Sequence, residues 1–159
     1  MAKKIEKIRH SLAHILAMSV QELYPGVKFG IGPAIENGFY YDFDFGKASI
    51  SEKDLKKIEV RMRKLIQGEI KFKKKRISKK EAQKIFKDQP YKLDLIKELP
   101  GKTVSIYQSG EFIDLCKGPH VKSTKEINPD AFKLTKVAGA YWKGDENKPM
   151  LTRIYGLAF

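Results

Sequence analysis

Cysteine and histidine are scarce in this sequence, with one cysteine and three histidines among 159 residues. A single cysteine excludes an internal disulfide framework and favours a reducing compartment, so we expect a cytoplasmic protein. No apolar run approaches the roughly 18 residues that a membrane-spanning helix needs. The opening residues, MAKKIEKIRH, lack the apolar core of a secretory signal. We therefore expect no membrane contact.

Positive charge, by contrast, is abundant and unevenly distributed. Lysine and arginine number 32 against 19 acidic residues, which gives a formal net charge of +13. Residues 47–102 hold 19 of the basic and 8 of the acidic residues, so this segment alone carries +11. Such a segment is typical of a protein that binds a polyanion, although a solvated lysine-rich surface would give the same count.

Helix and strand patterns interleave along the chain. Helical spacing of apolar residues predicts a helix over 4–23 and a second helix from Ser51 to about Ile70. Asn37-Gly38 predicts a hairpin turn. Shorter helices are predicted for 78–89, where Pro90 is expected to end the helix, and for 92–99; strands are predicted for 39–45, 71–76 (or a loop), 103–108, 111–115, 132–142 and 150–155.

This mixture predicts an α+β fold in which helices pack on an antiparallel or mixed sheet. We expect residues 1–159 to form one domain, because the sequence shows no internal repeat and no low-complexity linker. The basic segment 47–102 is expected to be a helical lobe inserted into that domain.

The histidines and the cysteine fall into two spaced pairs. His10 and His14 are four residues apart in the predicted first helix, so they lie one turn apart on the same face. Cys116 and His120 flank a Gly-Pro turn. Either pair alone is more often structural than functional. Together they use every imidazole and thiol of the chain, which favours a shared site for a zinc ion or a catalytic water.

Motifs of other site chemistries are absent from the sequence. It contains no phosphate-binding P-loop, no GxGxxG dinucleotide fingerprint and no GxSxG nucleophile elbow. Cys116 could act as a nucleophile beside a histidine, but the residues around it do not match that chemistry.

Four segments carry a resemblance to a known family: HSLAH at 10–14, GPAIENGFYYD at 32–42, DLCKGPH at 114–120 and AGAYWKGD at 138–145. They resemble the second N-terminal domain of bacterial threonyl-tRNA synthetases, a domain shared with alanyl-tRNA synthetases and freestanding alanyl-tRNA deacylases. The resemblance covers essentially the whole chain. It implies the editing-domain fold of that family and hydrolysis of serine wrongly esterified to threonine tRNA, which supports the fidelity of protein biosynthesis.

The resemblance also implies a site of seven residues. Four match the family's metal-site-like quartet and three match further pocket positions: His10, His14, Cys116 and His120, then Asp114, Lys92 and Tyr41. The last three also have structural interpretations, as a turn residue, one lysine among many and a core aromatic. The resemblance implies no cofactor requirement for editing, with a water in the pocket, and possible zinc at the quartet.

The implied reaction is attack of water on an aminoacyl ester. It needs a group that orients or deprotonates the water, a charge that stabilises the tetrahedral oxyanion, and a proton for the departing ribose oxygen. Histidine suits the first and last tasks. Lys92 suits the oxyanion or the terminal phosphate of tRNA, and Asp114 suits the cationic α-amino group of the substrate.

The expected partner is the acceptor end of threonine tRNA, held by basic residues that contact phosphates without reading bases. These residues are Lys56, Lys57, Arg61, Arg63, Lys64, Lys71, Lys73, Lys74, Lys75 and Arg76.

The chain contains no class II catalytic motif, so we expect the ATP-dependent ligase site to lie outside it. If the chain is a fragment, the further partners are the class II core and the anticodon-binding domain of threonyl-tRNA synthetase. Residues 150–159 would then begin the linker to that core. Two alternatives stay open: a freestanding alanyl- or seryl-tRNA deacylase, and a non-catalytic module that only docks tRNA.

Overall fold

The computed structural model describes residues 3–159, which form two antiparallel sheets and four α-helices. This architecture confirms the predicted α+β class. The elements are α1 (Lys4–Leu23), β1 (Lys28–Phe29), β2 (Ala34–Ile35), β3 (Gly38–Asp44), α2 (Leu55–Gln67), β4 (Lys73–Ser78), α3 (Lys79–Ile85), α4 (Pro90–Glu98), β5 (Thr103–Ser109), β6 (Phe112–Leu115), β7 (Phe132–Tyr141) and β8 (Met150–Ala158), with 3-10 turns at Glu52–Asp54, Thr124–Glu126 and Trp142–Gly144.

The larger sheet has the strand order β1-β3-β8-β7, with β2 paired to β3. Strand β8 lies inside this sheet and pairs with β3 on one side and with β7 on the other. The expectation that residues 150–159 begin a linker is therefore wrong for Met150–Ala158. Ile154 and Ala158 lie on one face of the strand and are buried in the first core, and Leu151 on the other face is buried against Tyr91 and Trp142.

Helix α1 packs its apolar face on this sheet. Leu12, Ile15 and Leu16 are fully buried in one core with Phe39 and Phe43 of β3. The helix ends at Leu23 before Pro25, as its sequence predicts, because proline cannot continue the hydrogen-bond ladder. This packing fixes the amino-terminal half of α1, which carries His10 and His14, against the edge of the core.

The smaller sheet has the order β4-β5-β6, and its two faces differ. One face carries Val104 and Ile106, which pack in a second core with Ala82 of α3, Phe86 directly after α3, and Ile96 of α4. The opposite face carries Ser105 and Tyr107 of β5 and Asp114 of β6, because side chains alternate along a strand. Asp114 therefore lies on the face of this sheet that does not pack in the second core.

Residues 47–102 do not form an inserted helical lobe. Helix α2 packs in the first core through Leu55, Ile58 and Met62, and β4 belongs to the smaller sheet. The segment is divided between two parts of the fold, because some of its apolar residues pack in the first core and others in the second. No helix within residues 3–159 has the length and apolarity that crossing a bilayer requires.

Local differences from the sequence predictions have simple causes. The hairpin turn is Glu36-Asn37, with Asn37 at a positive φ of 64°, and Gly38 is already the first residue of β3. Pro90 begins α4 and does not end a helix, because a first-turn position needs no N–H donor. Helix α2 starts after a 3-10 turn and ends at Gln67, before Gly68.

Candidate functional site

Helix α1 and the loop after β6 bring three of the predicted residues together. The sulfur of Cys116 lies 3.4 Å from Nε2 of His10 and 3.4 Å from Nε2 of His120. The two imidazole rings are stacked, with centroids 4.2 Å apart. One potential ligand atom from each residue lies within 4.8 Å of the others. We call these three residues the His-Cys-His cluster.

His14 is not part of this cluster, which corrects the predicted quartet. Its Nε2 faces the hydroxyl of Ser109 at 3.0 Å, and its ring packs against Phe72 and Phe112 with centroids at 4.9 Å. His14 lies in the buried stretch of α1 between Ser11 and Val20, where these groups hold the ring. His14 still contacts the cluster edge-on, with its centroid 5.2 Å from that of His120.

Hydrogen bonds orient the cluster. Nδ1 of His10 lies 3.1 Å from the carbonyl oxygen of Pro119. A carbonyl can only accept, so this contact selects the tautomer with hydrogen on Nδ1 and leaves Nε2 as an acceptor. The Ser11 hydroxyl accepts from the N–H of Val121 at 3.0 Å and contacts Nδ1 of His120 at 3.1 Å. Ser11 was not predicted, because its contacts are 109 and 110 residues away in sequence.

The turn between Cys116 and His120 depends on Gly118. Its φ of +83° favours glycine, and a Cβ there would lie 2.5 Å from the hydroxyl of Tyr107. The N–H of Gly118 donates to the sulfur of Cys116 at 3.2 Å. The glycine thus allows the chain to turn closely enough to present both Cys116 and His120.

A second, buried polar group adjoins the cluster. Nζ of Lys92 lies 2.6 Å from Oδ1 of Asp114 and donates to the hydroxyl of Tyr41 at 3.0 Å. Tyr41 donates in turn to Oδ2 of Asp114 at 2.9 Å. The three side chains come from α4, β6 and β3 and are 3%, 6% and 1% exposed. We call them the Lys-Asp-Tyr triad; each of its two charges is compensated by the other.

Burial sets the protonation states of the cluster at neutral pH. Desolvation lowers the pKa of His14 to about 4 and that of His120 to about 2. It also lowers the pKa of His10, against the opposing effect of the Pro119 carbonyl. Desolvation raises the pKa of Cys116 to about 11. The imidazoles are therefore neutral acceptors and Cys116 is a thiol, which disfavours Cys116 as a nucleophile.

Two residues of the cluster and two of the triad line one cavity of about 490 Å³, and His120 and Tyr41 lie behind them. Of the seven residues expected in the pocket, His10, Lys92, Asp114 and Cys116 line it. Further lining residues include Gly32, Arg76, Thr103 and Ser105. Strand alternation could have indicated Ser105, but only after the pairing of β4, β5 and β6 was known.

Comparison with known proteins supports the resemblance. Residues 104–155 match the family model described as the threonyl and alanyl tRNA synthetase second additional domain. The chain is 56% identical over 156 residues to threonine–tRNA ligase of Thermotoga neapolitana, which covers 97% of this chain and 24% of that relative. It is 53% identical over 152 residues to the enzyme of Rubrobacter xylanophilus, covering 96% and 23%.

The chain is similar over nearly its whole length to one segment of threonine–tRNA ligases, and residues 104–155 match the second additional domain of threonyl- and alanyl-tRNA synthetases. It spans about a quarter of the length of the curated relatives it matches. The segment that matches the family model begins at Val104 in β5, includes β6 and the loop that carries Cys116 and His120, and extends to Tyr155 in β8.

The His-Cys-His cluster has the donor set of a zinc site. Two imidazole nitrogens and one sulfur can hold zinc with a fourth position left for water. The Sγ–Nε2 separations of 3.4 Å are close to the edge of about 3.5 Å that bond lengths of about 2.3 and 2.0 Å give in a tetrahedral site. The residues present therefore fit a metal, with three protein ligands in place of the four expected.

The ten basic residues expected to bind tRNA lie on and around α2 and β4. On α2, Arg61 pairs with Glu22, and Arg63 pairs with Glu59 and Asp130. On β4, Lys73 and Lys75 point to one face of the strand and Lys74 and Arg76 to the other. Only Arg76 among the ten lines the cavity that holds the cluster.

Proposed function

We propose that this domain hydrolyses serine wrongly esterified to threonine tRNA and releases serine and free tRNA. The observation that carries the proposal is that the Lys-Asp-Tyr triad and the His-Cys-His cluster adjoin one cavity. A buried carboxylate suited to an ammonium group thus lies beside neutral imidazoles suited to a water molecule. A binding pocket separates side chains that differ by one methyl by only roughly 10- to 200-fold, so a synthetase for threonine needs such a hydrolytic site.

Each proposed role follows from a contact. Asp114 holds the α-ammonium group of serine, with its carboxylate oriented by the phenol of Tyr41. Burial and the neighbouring carboxylate raise the pKa of Tyr41 well above its usual value, so it stays a donor. Lys92 has one donor beyond those used by Asp114 and Tyr41, and this donor stabilises the oxyanion. His10 accepts from the attacking water through Nε2 and passes the proton to the ribose oxygen.

We propose that this hydrolysis requires no metal. Zinc, where bound by His10, Cys116 and His120, would polarise a water in the fourth position. We expect the domain to retain its seryl-tRNA hydrolysis after dialysis against a chelator, with metal content measured by elemental analysis. Activity that disappears on chelation and returns with one equivalent of zinc would contradict this expectation.

The wider setting is part of the same proposal. The domain would act within a threonine–tRNA ligase whose class II core and anticodon-binding domain are its covalent partners. The ATP-dependent charging of tRNA would occur in that core, in the cytoplasm, where charged tRNA is used for protein synthesis. The acceptor end of threonine tRNA would be the partner of the cavity.

The decisive experiment compares ester loss from three substrates. The purified domain is mixed with seryl-, threonyl- and alanyl-esterified tRNA, and the remaining ester is followed over time. We expect rapid loss of the seryl ester and little loss of the threonyl ester. Preferential loss of the alanyl ester would favour an alanyl deacylase, and tRNA binding without ester loss would favour a docking module. The variant His10→Ala should lose hydrolysis and keep tRNA binding.

A further inference from the structure

The basic run at the edge of the smaller sheet is divided by its strand geometry. In β4, Lys74 lies opposite Tyr107 and Arg76 lies opposite Ser105 of β5. Directly opposed residues of antiparallel strands project from the same face. Tyr107 is in turn opposite Asp114, so Lys74 and Arg76 share the face of the sheet that carries the site. Lys73 and Lys75 project from the other face.

The guanidinium of Arg76 is held at the cavity wall by two hydroxyl groups. Its Nε donates to Oγ1 of Thr103 at 2.8 Å, and its Nη1 donates to Oγ of Ser105 at 3.1 Å. Within residues 3–159, no carboxylate approaches Arg76 within 4 Å, whereas Arg61, Arg63 and Arg153 all have such partners. Two of its donors are therefore fixed, and its charge is not compensated by an acidic neighbour.

Lys74 extends this positive wall. Its Nζ donates to the carbonyl oxygen of Lys117, a residue that lines the cavity beside Cys116. The structure also excludes Lys92, a further cation that lines the cavity, from an external role. Lys92 is 3% exposed and bound to Asp114, so it cannot leave the interior to meet a phosphate. The phosphate role considered for Lys92 from the sequence thus falls to a different residue.

We infer that Arg76, assisted by Lys74, binds the backbone phosphate next to the terminal adenosine of the aminoacylated strand. This inference rests on the proposed function, which places the aminoacyl ester in the cavity and therefore the nearest phosphodiester at its wall. A guanidinium presents parallel donors that match phosphate oxygens, and here its orientation is set in advance by Thr103 and Ser105. Arg76 is in this sense a substrate-positioning residue.

The test uses two substrates that differ in their phosphates. Seryl-tRNA carries the backbone, and a seryl ester of adenosine carries no phosphate. The double variant Lys74→Gln/Arg76→Gln is compared with Lys73→Gln/Lys75→Gln, which loses the same charge from the same strand. For each protein, the ratio of kcat/KM for seryl-tRNA to kcat/KM for the adenosine ester is measured.

We expect this ratio to fall at least about tenfold in the 74/76 variant, through a higher KM for tRNA, since charge-assisted bonds to phosphate are the strong ones. In the 73/75 variant it should fall less than about twofold. In the 74/76 variant, the slope of log affinity for tRNA against log salt concentration should also become less steep, by about 0.7 for each lost contact to a single-strand phosphate. The single variant Arg76→Lys keeps the charge and loses the parallel donors of the guanidinium. Its ratio should lie between those of the wild type and the 74/76 variant.

Equal ratios in the two double variants would overturn the inference, because only bulk charge would then matter. If the wild-type domain hydrolyses neither substrate, the proposed function fails, and binding of uncharged tRNA then decides the inference. Weaker binding in the 74/76 variant than in the 73/75 variant supports a phosphate contact, and equal binding rejects it.

Discussion

The Lys-Asp-Tyr triad shows at the level of single residues how stability and chemistry share one group. Removing one charge of a buried pair leaves the other uncompensated, which costs about 3–5 kcal/mol. We therefore expect Asp114→Asn to lower the free energy of unfolding by about that amount in urea denaturation at pH 7. Glu22→Gln, which breaks the exposed pair with Arg61, is the matched control and should change it by less than about 1 kcal/mol.

A second substitution separates the two roles of the triad. Replacing Lys92 by Met in the Asp114→Asn background removes the uncompensated charge, so we expect most of the lost stability to return. Ester hydrolysis should stay lost, because the carboxylate proposed to bind the α-ammonium group is still missing. Recovery of both properties in the Lys92→Met/Asp114→Asn protein would show that the triad is structural only.

His14 should make the stability of the domain depend on pH. Its pKa is about 4 in the folded state and near its usual 6.5 in the unfolded state. The unfolded chain therefore binds a proton first as the pH falls, so stability is complete above pH 6.5 and declines between pH 6.5 and 4. The decline attributable to this histidine is of order 3 kcal/mol.

The variant His14→Phe provides the measurement. Phenylalanine fits a site already bordered by Phe72 and Phe112 and does not titrate. We expect the difference in unfolding free energy between the two proteins to shift in favour of the variant as the pH is lowered from 7 to 4. A pH-independent difference would mean that His14 does not titrate as its burial indicates.

The sequence indicated which residues lie close together better than it indicated how they are arranged. The spacing of the histidines and the cysteine indicated a shared site, and three of those four residues form the cluster. Tyr41 and Lys92 came only from the family resemblance, since their bonds to each other and to Asp114 join three distant parts of the chain. Periodicity describes local structure and carries no information on such long-range contacts.

At the level of elements, the turn at Gly118 determines how the cluster is presented. Gly118→Ala would place a methyl group 2.5 Å from the Tyr107 hydroxyl at a φ of +83°. Gly101 has a similar φ of +80°, and no atom lies within 4 Å of the place that a methyl group would take there, so Gly101→Ala carries the backbone strain alone. We expect both variants to lose about 1 kcal/mol from strain, and Gly118→Ala to lose ester hydrolysis as well.

Hydrolysis rates and denaturation midpoints of the two variants distinguish loss of stability from displacement of Cys116 and His120. If Gly101→Ala slows hydrolysis as much as Gly118→Ala, the loss reflects general destabilisation and not the position of Cys116 and His120. Turn chemistry of this kind is visible in the sequence, as at Asn37. Its exact register is not, because one residue can serve either as the last residue of a turn or the first of a strand.

At the level of the whole molecule, the uneven charge has a structural explanation. Residues 47–102 carry the basic excess, yet they supply α2 to the first core and β4, α3 and α4 to the second. Their charges are therefore divided among several surfaces, and strand alternation directs only part of them to the cavity. A count of charges along the chain predicts a polyanionic partner but cannot show which face meets it.

The carboxy-terminal strand should be indispensable for folding. Strand β8 pairs along its length with β3 and β7, so its removal would expose the edges of both strands and part of the first core. It also carries Arg153, which forms a bidentate pair with buried Asp42 at 2.7 and 2.9 Å. We expect a protein lacking residues 150–159 to lose its cooperative thermal transition and its near-ultraviolet circular dichroism. Deletion of Phe159 alone, a residue 78% exposed, should preserve both. A cooperative transition in the shorter protein would instead show that the sheet closes without β8, and that this strand is an appendage of the fold.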